Sequence, residues 1–260
     1  MHPMLNIAIK AARRAGDIML RYSDRLDRIN IESKGPADFV SEVDRMAEGE
    51  IIHILQSSYP GHAILAEESG KQGDDEYQWI IDPLDGTTNY LHGFPHYSVS
   101  IALMHKGILD QGVIYDPVRD ELFTASRGNG ANLNNRRLRV SNVNRMQNAL
   151  IGTGFPFKAI HRVDEWVNVF RAVLPRTSGI RRAGSAALDL AHVAAGRFDG
   201  FWEMDLSIWD IAAGCLLVQE AGGLIADFDG EQGHLQSGNL VAANPNIFPQ
   251  LMDIVEASQT

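Results

Sequence analysis

The stretch I-I-D-P-L-D-G-T-T-N, Ile80 to Asn89, sets Asp82 and Asp85 around a proline and follows them with Gly86 and two threonines. Two chemistries fit it. As a turn, proline fixes one backbone angle, aspartate bonds its own backbone, and glycine relieves strain before a helical turn. As a site, the two aspartates hold a cation while the amides of Gly86-Thr87-Thr88 open a helix or a nest that takes an anion beside it.

Acids elsewhere favour the second reading. A-E-E-S, Ala66 to Ser69, ends a short apolar run, and if that run is a strand beside Q-W-I-I-D, then Glu67 and Asp82 finish at one sheet edge. Two carboxylates about 4 Å apart repel by roughly 4 kcal/mol at an effective dielectric near 20, so such a group needs raised pKa values or a bound cation. S-I-W-D-I-A-A places Asp210 at the start of an apolar helix, where it reads equally as a cap or as a ligand. Oxygen donors without a thiolate or a helical histidine pair point to magnesium or manganese rather than zinc. A cation beside an anion pocket suggests phosphate.

Several familiar devices are absent. There is no spaced acid ladder of a calcium-binding helix-loop-helix and no G-x-x-x-x-G-K-[ST], while Gly128-Asn129-Gly130 lacks the context of a dinucleotide loop. His92 and His96 are four apart, but Gly93 and Pro95 between them argue against a shared helical face, and both read as structural. Cys215 is the only cysteine, which excludes an internal disulfide and a cysteine-based zinc site; amid D-I-A-A-G-C-L-L-V it reads as a small core residue.

The elements that must position these acids follow from periodicity. Pro3 to Tyr22 reads as an amphipathic helix, and I-N-I-E-S-K-G-P-A-D-F-V as a partly extended segment broken at Gly35-Pro36. A second helix spans Glu42 to Gln56, and the runs ending at Glu67 and Asp82 are strands. From Tyr97 to Leu133, apolar runs alternate with K-G, D-P-V-R-D and G-N-G turns, the pattern of an antiparallel meander. Beyond Asn148, strands A-L-I-G-T-G, the region of Ile180, F-D-G-F-W-E-M, L-I-A-D-F and N-L-V-A-A mix with helices at Val163–Val173, Ala186–Ala195, Ile208–Ala221 and Phe248–Ala257. The expected class is mixed α/β. Residues 1–147 form an α+β half with the metal loop, and residues 148–260 an alternating half, the two closely packed.

The chain of 260 residues is 45% hydrophobic, enough for one large core or two small ones. No run of about 18 apolar residues and no signal-peptide pattern occurs, so no membrane role is expected and a cytoplasmic, soluble protein is. A net charge of −10 argues against direct nucleic-acid binding, because such binders present a basic face. The small basic clusters N-N-R-R-L-R-V and G-I-R-R-A-G read as solvated edges or interface patches.

D-P-L-D-G-T-T-N, with A-E-E-S before it and W-D-I-A-A-G after it, resembles the inositol monophosphatases. The resemblance runs from G-P-A-D-F-V-S-E-V-D-R through G-S-A-A-L-D-L to V-Q-E-A-G-G, nearly the whole chain, and is closest to the bacterial SuhB-type branch. It implies a layered αβαβα sandwich shared with fructose-1,6-bisphosphatases, lithium-sensitive magnesium dependence with two or three ions, and a homodimer. Glu67, Asp82, Asp85, Asp210 and the Leu84 carbonyl match the metal ligands, with Asp82 bridging. Gly86 and Thr87 match phosphate contacts, and Thr87 with Asp44 the pair that activates the attacking water. Asp85, Gly184, Ser185, Ala186, Glu203 and Asp210 match positions around the substrate.

Two departures concern the substrate: Ser207 stands where animal enzymes carry histidine, and Lys34 is displaced by about one position from their loop lysine. The activity implied is hydrolysis of a phosphorylated polyol, myo-inositol 1-phosphate first. Fructose 1,6-bisphosphate and 3'-phosphoadenosine 5'-phosphate are rival substrates handled by relatives. A different class of function is also implied, because the SuhB-type branch is linked to transcription antitermination on ribosomal RNA operons, which calls for a protein partner in the transcription machinery.

Overall fold

The fold, taken from a computed structural model, is described for residues 2–26, 31–35, 38–157 and 159–258, with residues 31–35 and 38–40 described as backbone only. The Lys34 side chain and Pro36 therefore lie outside the described set. In chain order the elements are α1 (Pro3–Ser23), β1 (Ile31–Gly35), β2 (Asp38–Ser41), α2 (Glu42–Ser58), β3 (Ala63–Ala66), β4 (Gly70–Gln72), β5 (Tyr77–Asp85), α3 (Thr87–Leu91), β6 (Ser98–His105), β7 (Ile108–Asp116), β8 (Glu121–Ser126), β9 (Gly130–Leu133) and β10 (Arg136–Arg137). There follow β11 (Leu150–Thr153), α4 (Val163–Val173), β12 (Gly179–Arg181), α5 (Ala186–Ala194), β13 (Gly200–Glu203), α6 (Ile208–Glu220), β14 (Leu224–Ala226), α7 (His234–Ser237), β15 (Leu240–Ala243) and α8 (Phe248–Ala257).

These elements make five layers. α1 and α2 lay Leu5, Ala8, Ala12, Ala15 and Met19, with Val43, Ala47 and Ile51, against one face of an eight-stranded sheet. That sheet has the order β10-β9-β8-β7-β6-β5-β3-β4. Only the β3–β5 pair in it is parallel; the meander from β5 to β10 is antiparallel throughout. Its other face, through Ile80, Ala102, Ile114 and Phe123, packs on α5 and α6. Those two helices are buried on nearly every side, as expected of helices apolar all round, and carry on to Phe201, Leu240 and Ala242 of a second sheet. The second sheet, β12-β11-β13-β15-β14, covers its outer face with α4 and α8 through Val169, Trp166, Leu251 and Val255.

The middle layer is thin because of one glycine. A Cβ on Gly214 of α6 would come within 2.6 Å of the Leu190 side chain of α5, so only glycine lets the two helices approach this closely. This gives the A-A-G-C run its reason. Cys215 beside it is fully buried, as a small core residue should be. Arg136 and Arg137 sit exposed on the short edge strand β10, and Arg181 is exposed on the edge strand β12. No helix among the described residues is long and apolar enough to cross a membrane.

Candidate active site

β3 and β5 run side by side with Ala66 opposite Ile81, and Glu67 N donates to the Ile81 carbonyl at 3.1 Å. Glu67 and Asp82 thus finish at the same sheet edge. The turn carrying Glu67 is held from behind by Glu48 of α2, which is 4% exposed and accepts from Glu68 N at 2.8 Å and Ser69 N at 2.9 Å.

The second acid pair depends on an irregularity. β5 does not stop at Asp82 but continues to Asp85, with a bulge between them: Asp82 faces Ser100 and Asp85 faces Ser98 on β6. In a regular strand residues three apart point to opposite faces; one extra residue brings them to the same one. Pro83, which cannot donate to a ladder, sits inside the bulge, where that costs nothing. Both aspartates therefore turn toward the middle layer, where α5 and α6 begin.

Those helix starts complete the cluster. Asp85 Oδ2 accepts from Ser185 Oγ at 2.5 Å and from Ala187 N at 2.8 Å at the head of α5. Asp210, in the first turn of α6, accepts from Ser207 N at 2.7 Å, so it does cap, by reaching back from the third helical position. Asp82 is 1% exposed and accepts from Leu84 N at 2.9 Å. Its pKa is pushed well up, first by burial and then by the charges of Glu67, Asp85 and Asp210. Desolvation also pushes Asp85 up to about 6 against its hydrogen bonds from Ser185 and Ala187. Among the described residues, no group of three or more histidine, cysteine, aspartate or glutamate side chains is already gathered in an ion-holding arrangement. Asp82, Asp85 and Asp210 each turn toward local hydrogen-bond donors. The donor set nonetheless suits a hard divalent cation: oxygen only, with a buried carboxylate at its centre that neighbouring charges raise in proton affinity.

Beside the acids stands a hydroxyl–carboxylate pair. Thr87 Oγ1 lies 3.1 Å from Asp44 Oδ1 and 3.0 Å from the Leu84 carbonyl. Asp44 is 1% exposed and is fixed by Ser41, whose amide and hydroxyl both donate to its Oδ2, at 2.9 and 2.5 Å. Burial raises the Asp44 pKa, with the Ser41 and Thr87 hydrogen bonds opposing. Gly86 precedes α3 at φ 95°, and a Cβ there would meet the His96 carbonyl at 3.0 Å and the Gly184 carbonyl at 3.2 Å. Asn89 Nδ2 lies 2.8 Å from the His96 carbonyl and 2.9 Å from the Ala183 carbonyl, tying the A-G-S loop to α3.

The structure brings together Asp44, Glu67, Asp82, Leu84, Asp85, Gly86, Thr87 and Asp210 as well as the loop Gly184, Ser185 and Ala186. Glu203, at the end of β13, faces Asp85 and Asp210 across two adjoining clefts of about 130 and 150 Å³. Desolvation pushes its pKa up to about 8, with Arg182 opposing. Several lining residues escaped the sequence reading: Thr153 at the end of β11, Gly154 just after it, Arg182, and Asp189. Gly154 had a signal in the G-T-G strand end, since a Cβ there would overlap the Glu203 carboxylate. Arg182 lay inside a noted cluster, where it proves to stack over Phe155 and Phe157 at 4.8 and 5.1 Å.

The fold is thus an α/β sandwich of five layers whose acids lie where one sheet meets the middle helices. The profile described as "Inositol monophosphatase family" matches residues 1–260, and the chain belongs to that family. The Nus factor SuhB of Pseudomonas aeruginosa is 54% identical over 262 residues, covering 98% of this chain and 97% of that protein. Among solved structures, the extragenic suppressor protein suhB of Bartonella henselae matches with a TM-score of 0.96 and 45% identity, covering 98% of this chain and 99% of the other. The Thermotoga maritima IMPase matches at 0.90 and 36%, covering 98% and 97%.

Proposed function

We propose that the protein is a magnesium-dependent phosphate monoester hydrolase acting on a small phosphorylated polyol, with myo-inositol 1-phosphate first among candidates. The bulge that turns Asp82 and Asp85 toward one face, within the charge field of Glu67 and Asp210, carries this reading. Glu67, Asp82 and the Leu84 carbonyl would hold one ion; Asp82, Asp85 and Asp210 would hold another. Bound magnesium supplies a Lewis acid that neutralises phosphoryl charge and lowers the pKa of water. Hydrolysis forms a P–O bond from water, breaks the ester P–O bond and passes one water proton to the alcohol oxygen.

The chain's own groups order that exchange. Asp44 Oδ1 holds the Thr87 hydroxyl proton, which leaves the Thr87 lone pairs to accept from a water and aim its oxygen at phosphorus. The amides of Gly86 and Thr87 face the phosphoryl oxygens, as first-turn amides without intrahelical acceptors can. Ser185, Ala186 and Glu203 receive the alcohol. Around that alcohol, Arg182 is the one basic residue lining the two clefts among the described residues, which leaves a second phosphate a single cation. This ranks the polyol monophosphate above fructose 1,6-bisphosphate and 3'-phosphoadenosine 5'-phosphate. Turnover of these esters with magnesium, and with added lithium, is the test; inactivity on every one removes the reading.

A second reading rests on the name of the Pseudomonas aeruginosa relative, a Nus factor: the chain binds a protein of the transcription machinery, with hydrolysis secondary. Partner capture that survives Asp82→Asn would separate binding from catalysis. For the homodimer we propose the exposed strip of Phe155, Phe157 and Ile160, at 40%, 45% and 69% exposure, as the contact.

A further inference from the structure

Asp189 stands in the first turn of α5 and is only 1% exposed. An aspartate there ordinarily caps the helix or faces water. Asp189 does neither. Ser185 already caps the helix by accepting from Leu188 N at 3.3 Å, and Ala187 N goes to Asp85. Asp189 Oδ1 is buried without a hydrogen-bond partner, and its carboxyl is pushed strongly toward the protonated form by burial and by Glu203 and Asp85. Arg182 is felt only through its charge, its guanidinium being stacked on Phe155 and Phe157.

Buried carboxyl oxygens are almost always satisfied, because leaving one unpaired forfeits its hydration without return. The open direction from Asp189 is the cleft of about 130 Å³ that it lines with Asp85, Ser185, Glu203 and Asp210. An ionised carboxyl is an acceptor only, and a protonated one still has acceptor capacity, so the complement is a hydroxyl donor. Glu203 presents a second carboxyl to the same cleft.

We propose that Asp189 is a specificity-determining residue of this cleft: its carboxyl accepts from a second hydroxyl of the substrate alcohol, beside the one taken by Glu203. The cleft thereby selects an alcohol with neighbouring hydroxyls over a simple one. The proposal rests on the phosphatase reading above and deepens it. A site built around a hydroxyl rejects analogues lacking it far more strongly than an apolar pocket rejects an extra group.

The experiment compares Asp189→Leu, Asp189→Asn and the parent with magnesium, on myo-inositol 1-phosphate and on p-nitrophenyl phosphate, whose leaving group carries no further hydroxyl. For Asp189→Leu, kcat/KM on the inositol ester should fall about tenfold to a hundredfold further than it does on p-nitrophenyl phosphate. Asp189→Asn, whose amide carbonyl still accepts, should recover most of the loss. Equal losses on both esters, or selectivity that does not change, would overturn the contact. If the parent hydrolyses neither ester, the phosphatase reading falls, and calorimetric titration with myo-inositol 1-phosphate decides the contact separately. Parent binding that Asp189→Leu weakens supports it; parent binding that is absent or unaltered by the substitution overturns it.

Discussion

Asp82 and Asp85 stand three positions apart in one strand and yet face the same side of the sheet, opposite Ser100 and Ser98. The bulge that allows this crowds Asp82 with the charges of Glu67, Asp85 and Asp210. Asp82→Asn keeps an acceptor for Leu84 N and removes a charge that the fold holds at a cost. Without metal, the variant should melt no lower than the parent, and each 1 kcal/mol of relieved repulsion would raise Tm by about 2–4 °C. The upward shift that magnesium gives the parent should vanish along with hydrolysis. A variant that still shifts normally would remove Asp82 from the ion sites.

Thr87 and Asp44 give a catalytic prediction. Thr87→Val deletes the hydroxyl that meets Asp44 Oδ1 while keeping the side chain's shape, and Thr87→Ser restores it. The valine variant should lose about 10²–10⁴-fold in kcat with KM nearly unchanged, a usual range for removing a proton-handling group. Full activity in the valine variant would leave the pair a purely local bond.

The pH dependence of stability has a definite sign. Asp85 at about 6 and Glu203 at about 8 both lie above the values of roughly 3.9 and 4.3 expected in the unfolded chain. Across that window the folded state binds more protons than the unfolded state, so raising the pH lowers the stability of the metal-free protein. The loss from Asp85 is complete by pH 7, and that from Glu203 continues past pH 8. Magnesium would take the place of the Asp85 proton, so its thermal shift should grow from about pH 5 to 7. Melting curves at half-unit steps, with and without magnesium, check this; a shift independent of pH would count against it.

Gly86→Ala tests the phosphate loop. At φ 95°, with carbonyl oxygens at 3.0 and 3.2 Å from the new methyl, the variant should lose about 1–3 kcal/mol of stability and most of its activity. Chemical denaturation alongside turnover provides the readout. Retention of both would mean that the loop has room the geometry denies.

Much of this was legible in the residues. Val163–Val173 and Phe248–Ala257 match the helices α4 and α8 end for end, because each carries a clear apolar stripe between breakers. The convergence of Glu67 with Asp82 followed from two apolar runs that both end in acid. The bulge was not legible: D-P-L-D-G contains every residue of a turn, and only the pairing with Ser98 and Ser100 shows it to be the end of a strand. Glu48 and Asp189 were equally silent, since each reads as an ordinary helix acid until its partners, or their absence, appear across the fold.

The helix pair between the two sheets also sets when the site can exist. Glu67, Asp82 and Asp85 belong to the first third of the chain, whereas Ser185 and Asp210 enter from helices that lack a complete support until β15 at Leu240–Ala243 is in place. A chain emerging from the ribosome therefore carries its early carboxylates as an unfinished, self-repelling edge for most of its synthesis. The site needs β15 for its support, and a truncation that cuts into β15 should abolish it even though every acid of the site remains.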